Sequence, residues 1–152
     1  MSSSAATASW DQEFDLVVVG SGAGAMTAAI RAHDLGARAV VLEKSDQYGG
    51  NSAMSGGSIW IPNNSLMKTA GVTDSRAEAL TYLKHVTRGM VADEMLETYV
   101  DAGREMLEYM LAKTHLRMEC MLTYMDYYAE APGGKPGGRS LEAEAWYQQS
   151  DT

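Results

Sequence analysis

One cysteine, Cys120, occurs in 152 residues. No intrachain disulfide and no cysteine-based metal cluster can form from it, and a reducing, cytoplasmic setting fits. Basic runs are missing as well. The net charge is -8 and the pI is near 4.8, which argues against a general nucleic-acid binder. Long apolar runs are also missing. A stretch such as Leu16-Val17-Val18-Val19 is far too short to span a bilayer. Met1 to Ser9 is small and polar, without the positive and apolar regions of a secretory signal. These absences predict a soluble protein with a disordered tail over residues 1–12. His33, His85 and His115 fall on separate predicted elements, so solvated or capping roles are expected of them and no metal site.

Apolar residues make up 45% of the chain, enough for a packed core. Phe14 to Val19 is rich in valine and ends at Gly20, the pattern of a fully buried strand. A helical stretch begins at Gly24 or Ala25, with Met26, Ala29, Ile30 and Ala32 on its inner face. Gly36 stops it as a C-terminal cap, and Arg38 to Leu42 reads as a second buried strand. Strand, helix and strand make a Rossmann-like βαβ unit, and the fold class is α/β.

The first strand–helix turn carries chemistry. Gly20-Ser21-Gly22-Ala23-Gly24-Ala25 fits G-x-G-x-x-A. Gly20 allows the tight turn, Gly22 lets the backbone approach a pyrophosphate, and Ala25 lets helix pack on strand. The helix N-terminus offers free N–H groups and a favourable dipole to phosphate. Glu43 ends the second strand about 20 residues after the first glycine, where a carboxylate accepts the hydroxyls of an adenosine ribose. It would repel a 2′-phosphate, so NADP is disfavoured. Glycine used only for tight packing would leave Glu43 unexplained.

Beyond Glu43 comes an uncommon stretch, Gly49 to Asn64, with two glycine pairs among Asn51, Ser52, Ser55 and Ser58. It reads as loop. Bare backbone of this kind lies against a long flat ligand and donates N–H and hydroxyl hydrogen bonds. With the βαβ unit so near the start of the chain, it favours FAD over NAD. Trp60 within it has two readings, a core anchor for the loop or a wall of the site; the anchor is preferred.

Further on, Ser75-Arg76-Ala77-Glu78 has capping-box spacing and opens a helix to about Arg88, ended by Gly89. A second helix starts near Asp93. Leu96, Tyr99, Val100, Gly103, Met106, Leu107, Met110 and Leu111 form its buried stripe. Asp93, Glu94, Glu97 and Asp101 form its negative start and solvated face. The methionines, 11 in all, fall mostly on predicted buried faces and serve as core filler. Leu116, Met118, Cys120, Leu122 and Tyr124 alternate as a half-buried strand would, and Cys120 is expected to be inert. Pro132 to Gly138 is a turn-rich loop. Nothing resembles a third parallel strand with its own crossover. Residues 13–152 are therefore expected to be the N-terminal part of a larger, here truncated, FAD-binding domain.

The strings "VVVGSGAGAMTAA", "VVLEK" and "YGGNSAMSGGSIWIPNN" resemble the family of succinate dehydrogenase and fumarate reductase flavoprotein subunits and 3-ketosteroid dehydrogenases. "SGGSIWIPNN" and "YMDYYAEAPGGKPGGRSLE" point within it to the 3-ketosteroid Δ1-dehydrogenases. The resemblance runs from Asp15 to Glu142, in a family whose full chain is several times longer. It departs at Met125 and Ala129, where the family favours proline. It implies hydride transfer from C1 of a 3-ketosteroid to FAD, with a tyrosine assisting proton removal from C2 and hydrogen-bond donors stabilising the enolate. By position it implies Tyr127 as the catalytic tyrosine, and Ser58 and Tyr124 as steroid-pocket residues. It implies FAD contacts at Gly20, Gly22, Gly24, Ala25, Glu43, Lys44, Gly50, Asn51 and Ser52. The partners it implies are a 3-ketosteroid, an electron acceptor and the missing C-terminal portion. Alternatives are a Δ4-ketosteroid dehydrogenase, another fumarate reductase-like flavoprotein, or a non-catalytic FAD-binding fragment.

Overall fold

The computed structural model describes residues 10–144. Most of the expected N-terminal tail lies outside them. The chain divides after Gly56 into two units.

Unit one is the expected βαβ. Strand β1 (Leu16–Val19) pairs in parallel with β2 (Ala39–Leu42), from Leu16 opposite Ala39 to Val19 opposite Leu42. Helix α1 (Ala23–Asp34) connects them. β-Branched valines suit both strands, and Gly20, at φ +89°, supplies the sharp exit from β1 that a side chain would resist. Helix α1 buries no residue fully. Ala25, Ala29, Ile30 and Ala32 are half-buried, whereas Met26 is exposed, contrary to expectation. The strands, too, are less covered than a fully buried pair would be. Val18 alone is buried, while Val17, Val19 and Leu42 are 53%, 83% and 52% exposed. Part of the expected loop is helical: α2 spans Gly50–Met54.

Unit two joins a helix pair to a small antiparallel sheet. Its elements are β3 (Ile59–Trp60), α3 (Ser65–Thr69), α4 (Arg76–Thr87), α5 (Asp93–Lys113), β4 (Met118–Cys120) and β5 (Ser140–Ala143). Strand β5 is central, with Ile59 opposite Leu141 on one side and Cys120 opposite Leu141 on the other. Ile61, Leu107, Met118 and Leu141 form the core, packed on by Met106 and Leu111 of α5. The cap of α4 is as expected: Ser75 Oγ accepts from the Glu78 amide and donates to the Glu78 carboxylate. Asn64 caps α3 by accepting from the Met67 amide at 2.9 Å.

Several expectations change. The alternating strand is only three residues long, and Leu122 and Tyr124 are exposed. The backbone turns there because the 132–138 loop folds onto it: Gly138 N–H donates to the Met121 carbonyl at 3.1 Å, and Gly137 lies so close to the Leu122 carbonyl that no Cβ fits. Tyr99 of the α5 stripe is half-exposed and donates its hydroxyl to the Trp60 carbonyl at 2.6 Å. Met67 and Met118 are buried, but Met54, Met90, Met95 and Met125 are exposed, so methionine is not mainly core filler here. Glu97 and Asp101 are more than a solvated face. Both accept from Arg76 of α4 at 2.8 to 3.1 Å, tying the helices together.

Candidate functional site

Unit one holds a cleft of about 600 Å³ lined by Gly20, Gly22, Glu43, Lys44, Gly50, Asn51 and Ser52. Seven of the nine expected cofactor residues are thus brought together. Gly24 and Ala25 instead occupy the first turn of α1 and do not line it. The N-cap residue of α1, Gly22, has no side chain to cap with, and Ser52 of α2 takes that part: its Oγ accepts from the Ala23 amide at 3.0 Å. Gly50 faces the Gly22 backbone so closely that a Cβ added to it would lie 3.5 Å from Gly22 Cα and N. Helix start and the first glycine pair, Gly49-Gly50, therefore form one bare surface.

Ser21, buried within the fingerprint, was not singled out by the sequence. Its hydroxyl donates to Glu43 Oε2 at 2.5 Å and accepts from the Gly49 amide at 2.8 Å. The Ser45 amide donates to Glu43 Oε1 at 3.1 Å. The Ser21 hydrogen bond, then the Ser45 amide, hold the Glu43 carboxyl below its ordinary range, so it stays ionised and acceptor-only at neutral pH. The lining fits an ADP moiety: the helix N–H groups beyond Ala23 and the Ser52 hydroxyl for phosphate, a fixed carboxylate to accept from ribose hydroxyls.

Unit two holds a second, mainly apolar cavity of about 370 Å³. Ser58, Tyr124 and Tyr127 all line it, with Trp60, Tyr82 and Met125. Tyr127 is 86% exposed and shares a hydrogen bond with Tyr124, which raises the Tyr124 phenol. Trp60 combines its two readings. Its ring packs on Tyr82 and Tyr99, its Nε1–H donates to Asp126 at 2.7 Å, and it walls the cavity.

Beneath this wall lies a buried ion cluster that the sequence reading missed. Arg139 donates from Nε and Nη2 to Asp74 at 2.8 and 2.7 Å, and from Nη1 to Asp126 at 2.8 Å. Burial pulls the guanidinium down and pushes the Asp74 carboxyl up. Their mutual hydrogen bonds and charges outweigh it, leaving Arg139 raised and Asp74 lowered. A signal was present, since Asp126 and Arg139 are charges inside aromatic and glycine-rich segments. Its partner Asp74, more than fifty residues earlier in the chain, could not be inferred. Cys120, in β4, has its thiol pushed up by burial, which disfavours the reactive thiolate. Among the described residues no helix is long and apolar enough to cross a membrane.

The chain matches the model of an FAD-binding domain over residues 15–150. It is 51% identical over 131 residues to the 3-oxosteroid 1-dehydrogenase of Mycobacterium tuberculosis, covering 86% of this chain and 23% of the relative. It is 46% identical over 132 residues to the 3-oxosteroid 1-dehydrogenase of Comamonas testosteroni, covering 87% and 23%. The crystal structure of a 3-ketosteroid Δ1-dehydrogenase from Sterolibacterium denitrificans, in complex with 1,4-androstadiene-3,17-dione, superposes with a TM-score of 0.82 at 53% identity. It covers 86% of this chain and 23% of that one. The chain thus spans about a quarter of the length of the relatives it matches.

Proposed function

We propose a function from one premise: the chain belongs to the family of FAD-binding domains whose model it matches across residues 15–150. The reading is FAD-dependent 1,2-dehydrogenation of a 3-ketosteroid, performed by a longer polypeptide to which these residues contribute. The observation that carries it is the convergence of Ser58, Tyr124 and Tyr127 on one apolar cavity, in a chain about half identical to 3-oxosteroid 1-dehydrogenases.

In this reading the unit-one cleft binds the ADP half of FAD. Gly20, Gly22, Gly24 and Ala25 shape the turn that receives the pyrophosphate, and Glu43 accepts the ribose hydroxyls. Lys44, Gly50, Asn51 and Ser52 line the cofactor's path. Bound FAD supplies the hydride acceptor. Ser58 and Tyr124 border the steroid, whose flat apolar rings suit the aromatic wall. Tyr127 assists removal of the C2 proton, and its open position leaves room for a substrate to cover it. Substrate and further protein would complete the surroundings in which Tyr127 acts on the proton.

The remaining polypeptide is part of the proposal. Exposed Val17, Val19 and Leu42 on a two-stranded parallel sheet support it, because parallel sheets are normally covered on both faces. It would supply other groups of the active site and the route to an electron acceptor. We place the protein in the cytoplasm, on its acidic charge and its single cysteine.

The test is Tyr127→Phe in the complete flavoenzyme. Steroid dehydrogenation should fall by about 10²- to 10⁴-fold, the span of general acid–base catalysis, with FAD still bound. A normal rate removes Tyr127 from the mechanism.

A further inference from the structure

We propose that Arg139 is the positioning residue of the tyrosine loop, acting through Asp126 to set where residues 124–128 present Tyr124 and Tyr127 to the cavity. The proposal rests on the reading of those tyrosines as substrate-facing.

Arg139 is anchored before it reaches the loop. Its side chain is 0% exposed, and two of its donor nitrogens go to Asp74. Asp74 in turn accepts from the Asn63 amide at 2.8 Å and the Ser75 amide at 2.9 Å, which fixes it at the start of α4. The remaining arm, Nη1, goes to Asp126. A planar fork can serve two carboxylates in fixed directions, which an ammonium cannot.

Asp126 collects bonds that its neighbours lack. Its Oδ2 accepts from Arg139 and from the Lys135 amide, its Oδ1 accepts from Trp60 Nε1, and its own amide donates to the Lys135 carbonyl at 3.0 Å. Flanking it, Met125 and Tyr127 are 58% and 86% exposed. The side chains beside Asp126 are thus little packed, and its buried carboxylate is the main side-chain tie of the loop, with the Tyr128 amide donating to the Tyr82 hydroxyl at 3.4 Å. The same guanidinium lies 5.6 Å from the Trp60 ring centroid and 5.5 Å from that of Tyr82. One cation thus holds both the aromatic wall of the cavity and the loop that carries the phenols. Two carboxylates and one guanidinium are an expensive way to fill a core that apolar side chains would fill as well, but they fix direction.

Hydrogen exchange on the 152-residue chain separates positioning from general stability. In Arg139→Lys and in Asp126→Asn, amide exchange over residues 124–135 should accelerate at least about 10-fold, as in a local opening, while α5 changes by less than about 2-fold. Trp60→Phe, which removes one donor to Asp126, should give a smaller change confined to the same loop. In the complete flavoenzyme, Asp126→Asn should lower kcat by about 10- to 100-fold, the scale of a misplaced catalytic group, with FAD content and steroid KM little changed. Unchanged loop exchange overturns the proposal, and so does an equal acceleration in α4 and α5. If Arg139→Lys fails to fold, Asp126→Asn and Trp60→Phe decide on the same readout. If the wild-type flavoenzyme turns over no 3-ketosteroid, the proposed function fails, and the exchange pattern still decides the positioning role.

Discussion

At the scale of single residues, Glu43 and Arg139 illustrate two uses of a fixed charge. Glu43 is half-buried and held by Ser21 and the Ser45 amide, so its carboxylate is oriented in advance of any ligand. Glu43→Ala should weaken FAD binding by about 10- to 100-fold, the worth of a charge-assisted hydrogen bond, measured by flavin titration; unchanged affinity would end its ribose role. Arg139 is buried, and Arg139→Ala should destabilise unit two by about 3–5 kcal/mol because two buried carboxylates lose their counter-charge. Denaturant unfolding measures this, and a loss close to zero would mean that the carboxylates find other partners. Asp74 also predicts an acid limb. Its carboxyl is lowered in the folded state from an ordinary value of 3.8. Its contribution is therefore complete above that value and lost as pH falls through the lower, folded one. Melting temperatures should hold to about pH 5 and drop below about pH 4, and Asp74→Asn should flatten that drop; parallel curves would contradict the assignment.

The elements divide by how local their causes are. Strands β1 and β2 with helix α1 were legible because valine runs and a glycine-ended helix act over a few residues. The α4 cap was legible for the same reason. Ser75→Ala should cost about 1 kcal/mol, readable as a lower unfolding midpoint. Strand β5 was not foreseen, because Ser140–Ala143 becomes a strand only by pairing with β3 and β4. Short α2 and α3 were hidden in glycine- and asparagine-rich sequence, where local propensity is weak and Asn64 makes a helix start by capping. The premature end of β4 has a non-local cause too, the approach of Gly137 to Leu122. Gly137→Ala should displace the 132–138 loop and lower stability by about 2–3 kcal/mol; a neutral effect would show that this loop yields easily. For the candidate site the same division holds. The fingerprint glycines and Glu43 were readable from spacing. Ser21 occupies a fingerprint position that spacing leaves free, and Arg139 finds one partner across more than sixty residues.

For the whole molecule, two units carry two different chemistries: a polar cleft built on a helix N-terminus, and an aromatic cavity built over a buried ion cluster. Family membership joins them in one flavoenzyme reading, and we propose that further polypeptide covers the exposed faces of β1 and β2. If the cleft of unit one is an FAD site, a visible-absorption titration of the purified chain with FAD will show it. A saturable shift of the flavin band is expected at one FAD per chain, weakened in Glu43→Ala and not reversed by excess NAD. A cooperatively folded chain that leaves the flavin spectrum unchanged, yet is stabilised against heat by NAD, would contradict it.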